Sequence, residues 1–144
     1  MNAMVAGRAL RSVPAQQQTF IAFDFGVKRT GVASGTRLTA TATPLKTLHI
    51  AGIDARFDAI KKILAEWQPN ALVVGIPTHP DGAVHEMTER CQKFARQLHG
   101  RFNLPVHEVD ERYSSVEAAS RGAKDLDAEA AAIILEQFFS EIEA

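Results

Sequence analysis

The apolar positions change period along the chain, and each change marks an element. Residues 19–25 carry the run Phe20-Ile21-Ala22-Phe23, which reads as a strand. Residues 26–28 read as a tight turn and 29–35 as a second strand. The segment 39–49, rich in Thr and short apolar residues, makes a third strand and completes an antiparallel meander. The period then becomes helical. Ile53, Phe57, Ile60, Leu64 and Trp67 share one face, with Asp54, Arg56, Asp58, Lys61, Lys62 and Glu66 on the others, until Pro69-Asn70 ends the helix.

Residues 71–76 form a continuous apolar run bounded by Pro77, the pattern of a strand covered on both faces. After a loop at Pro80-Asp81-Gly82, Met87, Cys91, Phe94, Leu98 and Phe102 mark a second amphipathic helix. Residues 105–111 read as a fifth strand with acids at its end, and 114–119 as a short helix. Residues 127–139 form a final helix with Ala130, Ala131, Ile134, Leu135 and Phe138 as its buried stripe. The order β-β-β-α-β-α-β-α predicts an α/β domain, a five-stranded mixed sheet flanked by helices. Residues 1–18, with Pro14-Ala15-Gln16-Gln17-Gln18 at their end, read as a disordered tail outside a single domain at 19–144.

Composition narrows the classes. With 144 residues the chain supports one core rather than two. A single cysteine, Cys91, rules out an internal disulfide and fits a reducing compartment. No apolar stretch reaches the ~20 residues of a membrane span. The first 18 residues have Arg8 and Arg11 but no apolar core of a signal peptide, so a cytoplasmic protein is expected. Net charge is −1, from 16 Lys+Arg and 17 Asp+Glu, so nucleic-acid binding would have to rest on a local basic patch.

The candidate chemistry centres on carboxylates. Asp24 stands where the first strand meets a glycine turn, and a buried charge there needs a salt bridge, an Asx-turn or a metal. Glu111 ends the fifth strand and Asp127 opens the last helix, on the face that must lie on the sheet. Each acid has a simpler reading: an Asx-turn for Asp24, an N-cap for Asp127, pairing with Arg112 or Arg29 for Glu111. Three acids at one end of one sheet favour a metal site. Mg²⁺ or Mn²⁺ suits such oxygen ligands, and two ions would stabilise the attacking and leaving oxygens of a phosphodiester displacement.

Lys28, Arg29, Arg37, Arg112 and Lys124 either rim a phosphate site or are solvated charges that balance the acids. Ser114 and Ser115, opening a helix, either donate to a phosphate or cap that helix. Asp24-Phe25-Gly26 lacks the other kinase motifs, His79 and His85 lack a third zinc ligand, and Cys91 lies on an apolar helix face.

Four motifs occur in order: Asp24-Phe25-Gly26-x-Lys28-Arg29-x-Gly31-Val32-Ala33, Val73-Val74-Gly75-Ile76-Pro77, Asp110-Glu111-Arg112-Tyr113-Ser114-Ser115, and Asp127-x-x-Ala130-Ala131-x-Ile133-Ile134-Leu135. Over residues 19–139 the chain resembles the YqgF family, also called the RuvX-type Holliday junction resolvases. The resemblance implies an RNase H-like fold and a bacterial cytoplasmic nuclease that matures the 5′ end of pre-16S ribosomal RNA. An older assignment within the family is to branched DNA. By that likeness Asp24, Glu111 and Asp127 are metal-binding catalytic acids. Lys28, Arg29, Arg112, Ser114 and Ser115 are, from the residues themselves, the candidate substrate contacts; the expected partners are structured RNA or branched DNA, with ribosomal precursor particles, for a monomer or weak homodimer.

RuvC-type resolvases, more distant, place a glutamate at the end of the fourth strand, where this chain has Gly75, so Glu111 would supply that ligand from the neighbouring strand. The link between Ser115 and Asp127 is shorter than is common among relatives, which bears on substrate affinity. Two other classes remain: a non-catalytic nucleic-acid-binding module in ribosome assembly or transcription, and an actin-like nucleotide lobe, for which 144 residues supply only one of two lobes.

Overall fold

A computed structural model describes residues 4–5, 8–77, 86–111 and 125–142. Strands β1 (Met4–Val5) and β2 (Arg8–Ala9) pair as a small antiparallel ribbon. The main sheet has five strands: β3 (Thr19–Phe25), β4 (Thr30–Thr36), β5 (Thr41–Leu48), β6 (Ala71–Pro77) and β7 (Val106–Glu111). Among the described residues three helices accompany them: α1 (Ile53–Trp67), α2 (Glu86–Phe102) and α3 (Leu126–Ser140). The strand order is β5-β4-β3-β6-β7, antiparallel through the meander and parallel from β3 to β7. This is the mixed sheet that the hydrophobic pattern predicts. The short helix expected at 114–119 lies outside the described residues.

Alternation along the strands divides the core in two. Ile21, Phe23, Leu72, Val74 and Ile76 face α1 and α2, whose Phe57, Ile60, Phe94 and Leu98 cover them. Phe20, Ala22, Val73 and Val109 face α3, against Ile134, Leu135, Phe138 and Phe139. β6, buried on both faces, therefore shows no alternation in sequence. Phe138 is wholly buried and packs against Phe20 and His107 at ring separations of 5.3 and 4.9 Å. Truncating such a side chain to Ala costs about 3–5 kcal/mol. Pro44 sits in β5, an edge strand, where a missing N–H is tolerated.

Two expectations change. The buried stripe of α1 is Arg56, Phe57, Ile60, Ile63 and Leu64, whereas Ile53 and Trp67 are about half exposed, at 52% and 46%. The helix is rotated from its simplest amphipathic reading because Arg56 is drawn inward by backbone carbonyls. Second, residues 11–18, which composition places outside the fold, pack onto it. Arg11 bridges in parallel to Ile142 and pairs with Glu141 at 3.0 Å, Val13 is buried, and Gln17 Oε1 meets His107 Nε2 at 2.7 Å. Hydrogen bonds and two aromatic neighbours hold a segment that low hydrophobicity alone would leave loose.

Candidate active site

The parallel strands β3, β6 and β7 end at the same side of the sheet, the side where ligands bind in open α/β folds. Asp24 is the last α3-facing residue of β3, paired across β4 with Gly31. Phe20 to Phe23, all but unexposed, anchor the strand that carries it. Glu111 ends β7, opposite Pro77 of β6.

Asp127 is brought in by a close approach of backbones. A β-carbon on Gly31 would stand 1.9 Å from Asp127 O and 2.9 Å from Ala128 N, so only glycine lets the first turn of α3 rest on β4. The cap of this helix is Asp125, not Asp127. The Asp125 carboxylate accepts from Ala128 N at 3.3 Å and from the Thr47 hydroxyl. Asp127 is thereby released from the capping role that its position in sequence suggests. It pairs loosely with Arg29, Nε to Oδ2 3.5 Å, with Arg29 largely in solvent.

Glu111 leans over Gly75. Its Oε2 lies 3.2 Å from the point that a β-carbon on Gly75 would occupy. The space above that glycine is thus bordered by a carboxylate from the adjacent strand.

These placements leave their mark on acidity. The Asp24 carboxyl is pushed up from its ordinary 3.8 to about 8, first by burial, then by the charges of Glu111 and Asp127. On the other face of the sheet the buried Cys91 thiol is pushed up to about 12, by burial and then by Glu111 and Asp24. All three acids therefore bear on one region. Among the described residues no three His, Cys, Asp or Glu side chains stand close enough to form a finished metal cage. The donor set is all carboxylate oxygen, and Mg²⁺ binds through one or two carboxylates with waters completing the shell, so an open set of this kind fits a hard divalent cation.

Asp24, Phe25, Gly26, Lys28, Arg29 and Asp127 line an open groove of about 530 Å³. Lys28 and Arg29 project from the β3–β4 turn beside the acids. Arg37 does not join them. It stands at the far end of β4, where its guanidinium donates to Val13 O and Pro14 O. Arg112, Ser114, Ser115 and Lys124 lie outside the described residues.

Arg56 is the residue that periodicity missed. Its Nη2 donates to Gly26 O, Val27 O and Ile50 O, and its Cζ sits 4.8 Å over the Phe25 ring. It braces the turn that carries Lys28 and Arg29. The available signal was its spacing, four residues before Ile60 and seven before Ile63.

The mixed five-stranded sheet flanked by helices has the RNase H-like fold. The fold is similar to that of Thermus thermophilus RuvC, solved in complex with a Holliday junction substrate. That match has a TM-score of 0.56 and 14% identity, over 85% of this chain and 94% of that one. A second Thermus thermophilus RuvC structure gives 0.51 at 13% identity, over 85% and 95%.

Sequence narrows the class. Residues 18–141 match the family described as RuvX: Holliday junction resolvase, and the chain belongs to that family. A protein of Albidiferax ferrireducens is 62% identical over 130 residues, 90% of this chain and 83% of its own length. One from Polaromonas sp. JS666 is 62% identical over 133 residues, 90% and 96%. Both carry the name "Putative pre-16S rRNA nuclease".

Proposed function

We propose that the chain is a divalent-metal-dependent nuclease that hydrolyses phosphodiester bonds of structured RNA and matures the 5′ end of pre-16S ribosomal RNA in the cytoplasm. The observation that carries this reading is the Asp24 carboxyl, pushed up to about 8 by burial beside two further acids. A fold tolerates such a like-charge cluster at a site that binds a cation. The names borne by the relatives supply the substrate.

Asp24, Glu111 and Asp127 are the residues that would hold Mg²⁺ or Mn²⁺, as one ion or two. A bound cation of this kind neutralises phosphate charge and makes water a nucleophile near neutral pH. The chain's own residues do the rest. Asp24, buried beside Glu111 and Asp127, would hold the cation as its carboxylate. Lys28 and Arg29 orient the phosphate in the groove, and the turn braced by Arg56 fixes their positions. The first turn of α3 adds its positive end to the same place.

The test compares cleavage of a pre-16S 5′ leader by the unaltered chain and by Asp24→Asn with added Mn²⁺. Equal rates would remove Asp24 from the site. Branched DNA is the second reading, favoured by the family's description. A four-way DNA junction assayed beside the leader separates the two. RNA binding by both proteins without turnover by either would identify a non-catalytic module.

A further inference from the structure

Asp24 and Phe25 are successive strand residues and face opposite sides of the sheet. Asp24 opens on the groove described above. Phe25 opens on a second cleft, of about 410 Å³, between the β3–β4 turn, α1 and α2. Phe25 and Val27 line both, so the two concavities meet across the turn.

The second cleft has apolar walls from Phe25, Val27, Ile53 and Phe57. Val27 and Ile53 are large apolar residues left 41% and 52% exposed there. Arg56 also lines it. Arg56 as a whole residue is only 4% exposed, and its Nε has no hydrogen-bond partner among the described residues. Its Nη2 is committed to three carbonyls, so Nε is the buried donor that awaits an acceptor. Lys93, on α2, stands at the exposed rim.

Apolar walls, a buried cation with one unfilled donor and a basic rim call for a flat ligand that bears acceptors and carries negative charge beside it. A nucleobase in a nucleic-acid strand has those properties, and an unstacked base is what proteins take into such pockets. We propose that this cleft receives one unstacked nucleobase of the strand whose phosphate lies in the Asp24 groove, with Arg56 meeting its acceptor edge and Lys93 the adjoining phosphate. The assignment rests on the nuclease reading of that groove and deepens it. The substrate must be locally single-stranded beside the bond that is cut, because a paired and stacked base cannot reach over the turn.

The probe is a short single-stranded oligoribonucleotide of leader sequence carrying one 2-aminopurine, titrated into the full chain in EDTA so that cleavage is off. The fluorescence of this base rises when it unstacks. A saturable rise is expected with the unaltered chain and with Asp24→Asn. Ile53→Trp, which fills the cleft, and Lys93→Glu, which reverses its rim, should each weaken binding about tenfold or more. Lys62→Glu, exposed on α1 away from the cleft, should bind as the unaltered chain does. Ile53→Trp, Lys93→Glu and Lys62→Glu should keep the melting temperature of the unaltered chain, since each of these three positions is exposed.

Binding by Ile53→Trp within twofold of the unaltered chain overturns the assignment, as does an abasic strand that binds equally well. If those variants cleave the leader with unchanged KM, the nuclease reading stands and the cleft reading falls. Base capture without cleavage by the unaltered chain leaves the cleft and removes the nuclease. A concentration-dependent dimer in sedimentation that Ile53→Trp abolishes would give the cleft to a second copy of the chain instead.

Discussion

Glu111 of β7 occupies the space above Gly75 of β6, its Oε2 3.2 Å from where a β-carbon on that glycine would stand. The same β-carbon would meet Ile134 Cδ1 at 2.5 Å, and Ile134 is wholly buried. Gly75→Ala therefore overfills the α3 interface and displaces the carboxylate at once. We expect a loss of about 1–3 kcal/mol in stability, read as a lower melting temperature. A higher Mn²⁺ requirement for cleavage should accompany it. An alanine variant with unchanged metal dependence would separate Glu111 from the site.

Asp24→Asn should raise stability while removing activity. Without metal the folded protein concentrates three acids, and the amide removes one charge with little change of shape. Cleavage should fall about a hundredfold or more, whereas the melting temperature in EDTA at pH 8 should rise. A variant less stable than the unaltered chain under those conditions would contradict the like-charge account.

The same group sets a pH dependence. Below about pH 4 the Asp24 carboxyl is protonated in folded and unfolded chains alike. Between its ordinary 3.8 and its folded value of about 8, the unfolded chain has lost a proton that the folded chain keeps. The unfolded state binds fewer protons there, so stability falls as pH rises through this window. The difference in melting temperature between the unaltered chain and Asp24→Asn, in EDTA, should shrink towards pH 4. Mn²⁺ added at pH 8 should stabilise the unaltered chain more than the variant.

Gly31→Ala tests the seat of α3. Its β-carbon would fall within 1.9 Å of Asp127 O and 2.2 Å of Asp127 C, both backbone atoms that cannot rotate away. The helix start must shift, taking Asp127 with it. We expect a destabilisation of about 3 kcal/mol and loss of cleavage even at temperatures where the variant is folded. Circular dichroism melts and leader cleavage at low temperature distinguish these effects.

His107 gives a pH dependence of opposite sign. Burial, then the neighbouring Arg11 charge, holds its imidazole below the ordinary 6.5. The neutral ring packs on Phe138 and meets Gln17. As pH falls through 6.5 the unfolded chain takes up a proton that the folded chain resists, so stability is lost. His107→Phe should remove this contribution, so that its melting temperature rises relative to that of the unaltered chain as pH falls from 7.5 to 5. The protection of residues 11–18 from hydrogen exchange should fall over the same range in the unaltered chain.

The hydrophobic pattern placed every strand of the main sheet and its three described helices to within about two residues, because strand and helix periods are local properties of the chain. It also picked out Asp24, Glu111 and Asp127, since acids at the ends of apolar runs are costly wherever the runs go. What it could not supply were relations between segments distant in sequence. The rotation of α1 follows from carbonyls at Gly26, Val27 and Ile50 that draw Arg56 inward, and no periodicity in residues 53–67 encodes them. Arg37 and residues 11–18 found their partners at the far end of the sheet for the same reason.

The acids themselves show the division most clearly. Sequence alone determined which carboxylates stand at element ends. Only the tertiary structure decided that Asp125 caps α3, that Gly31 lets Asp127 approach and that Glu111 covers Gly75. Those outcomes depend on backbones meeting at van der Waals distance, which is a property of packing and not of any one segment.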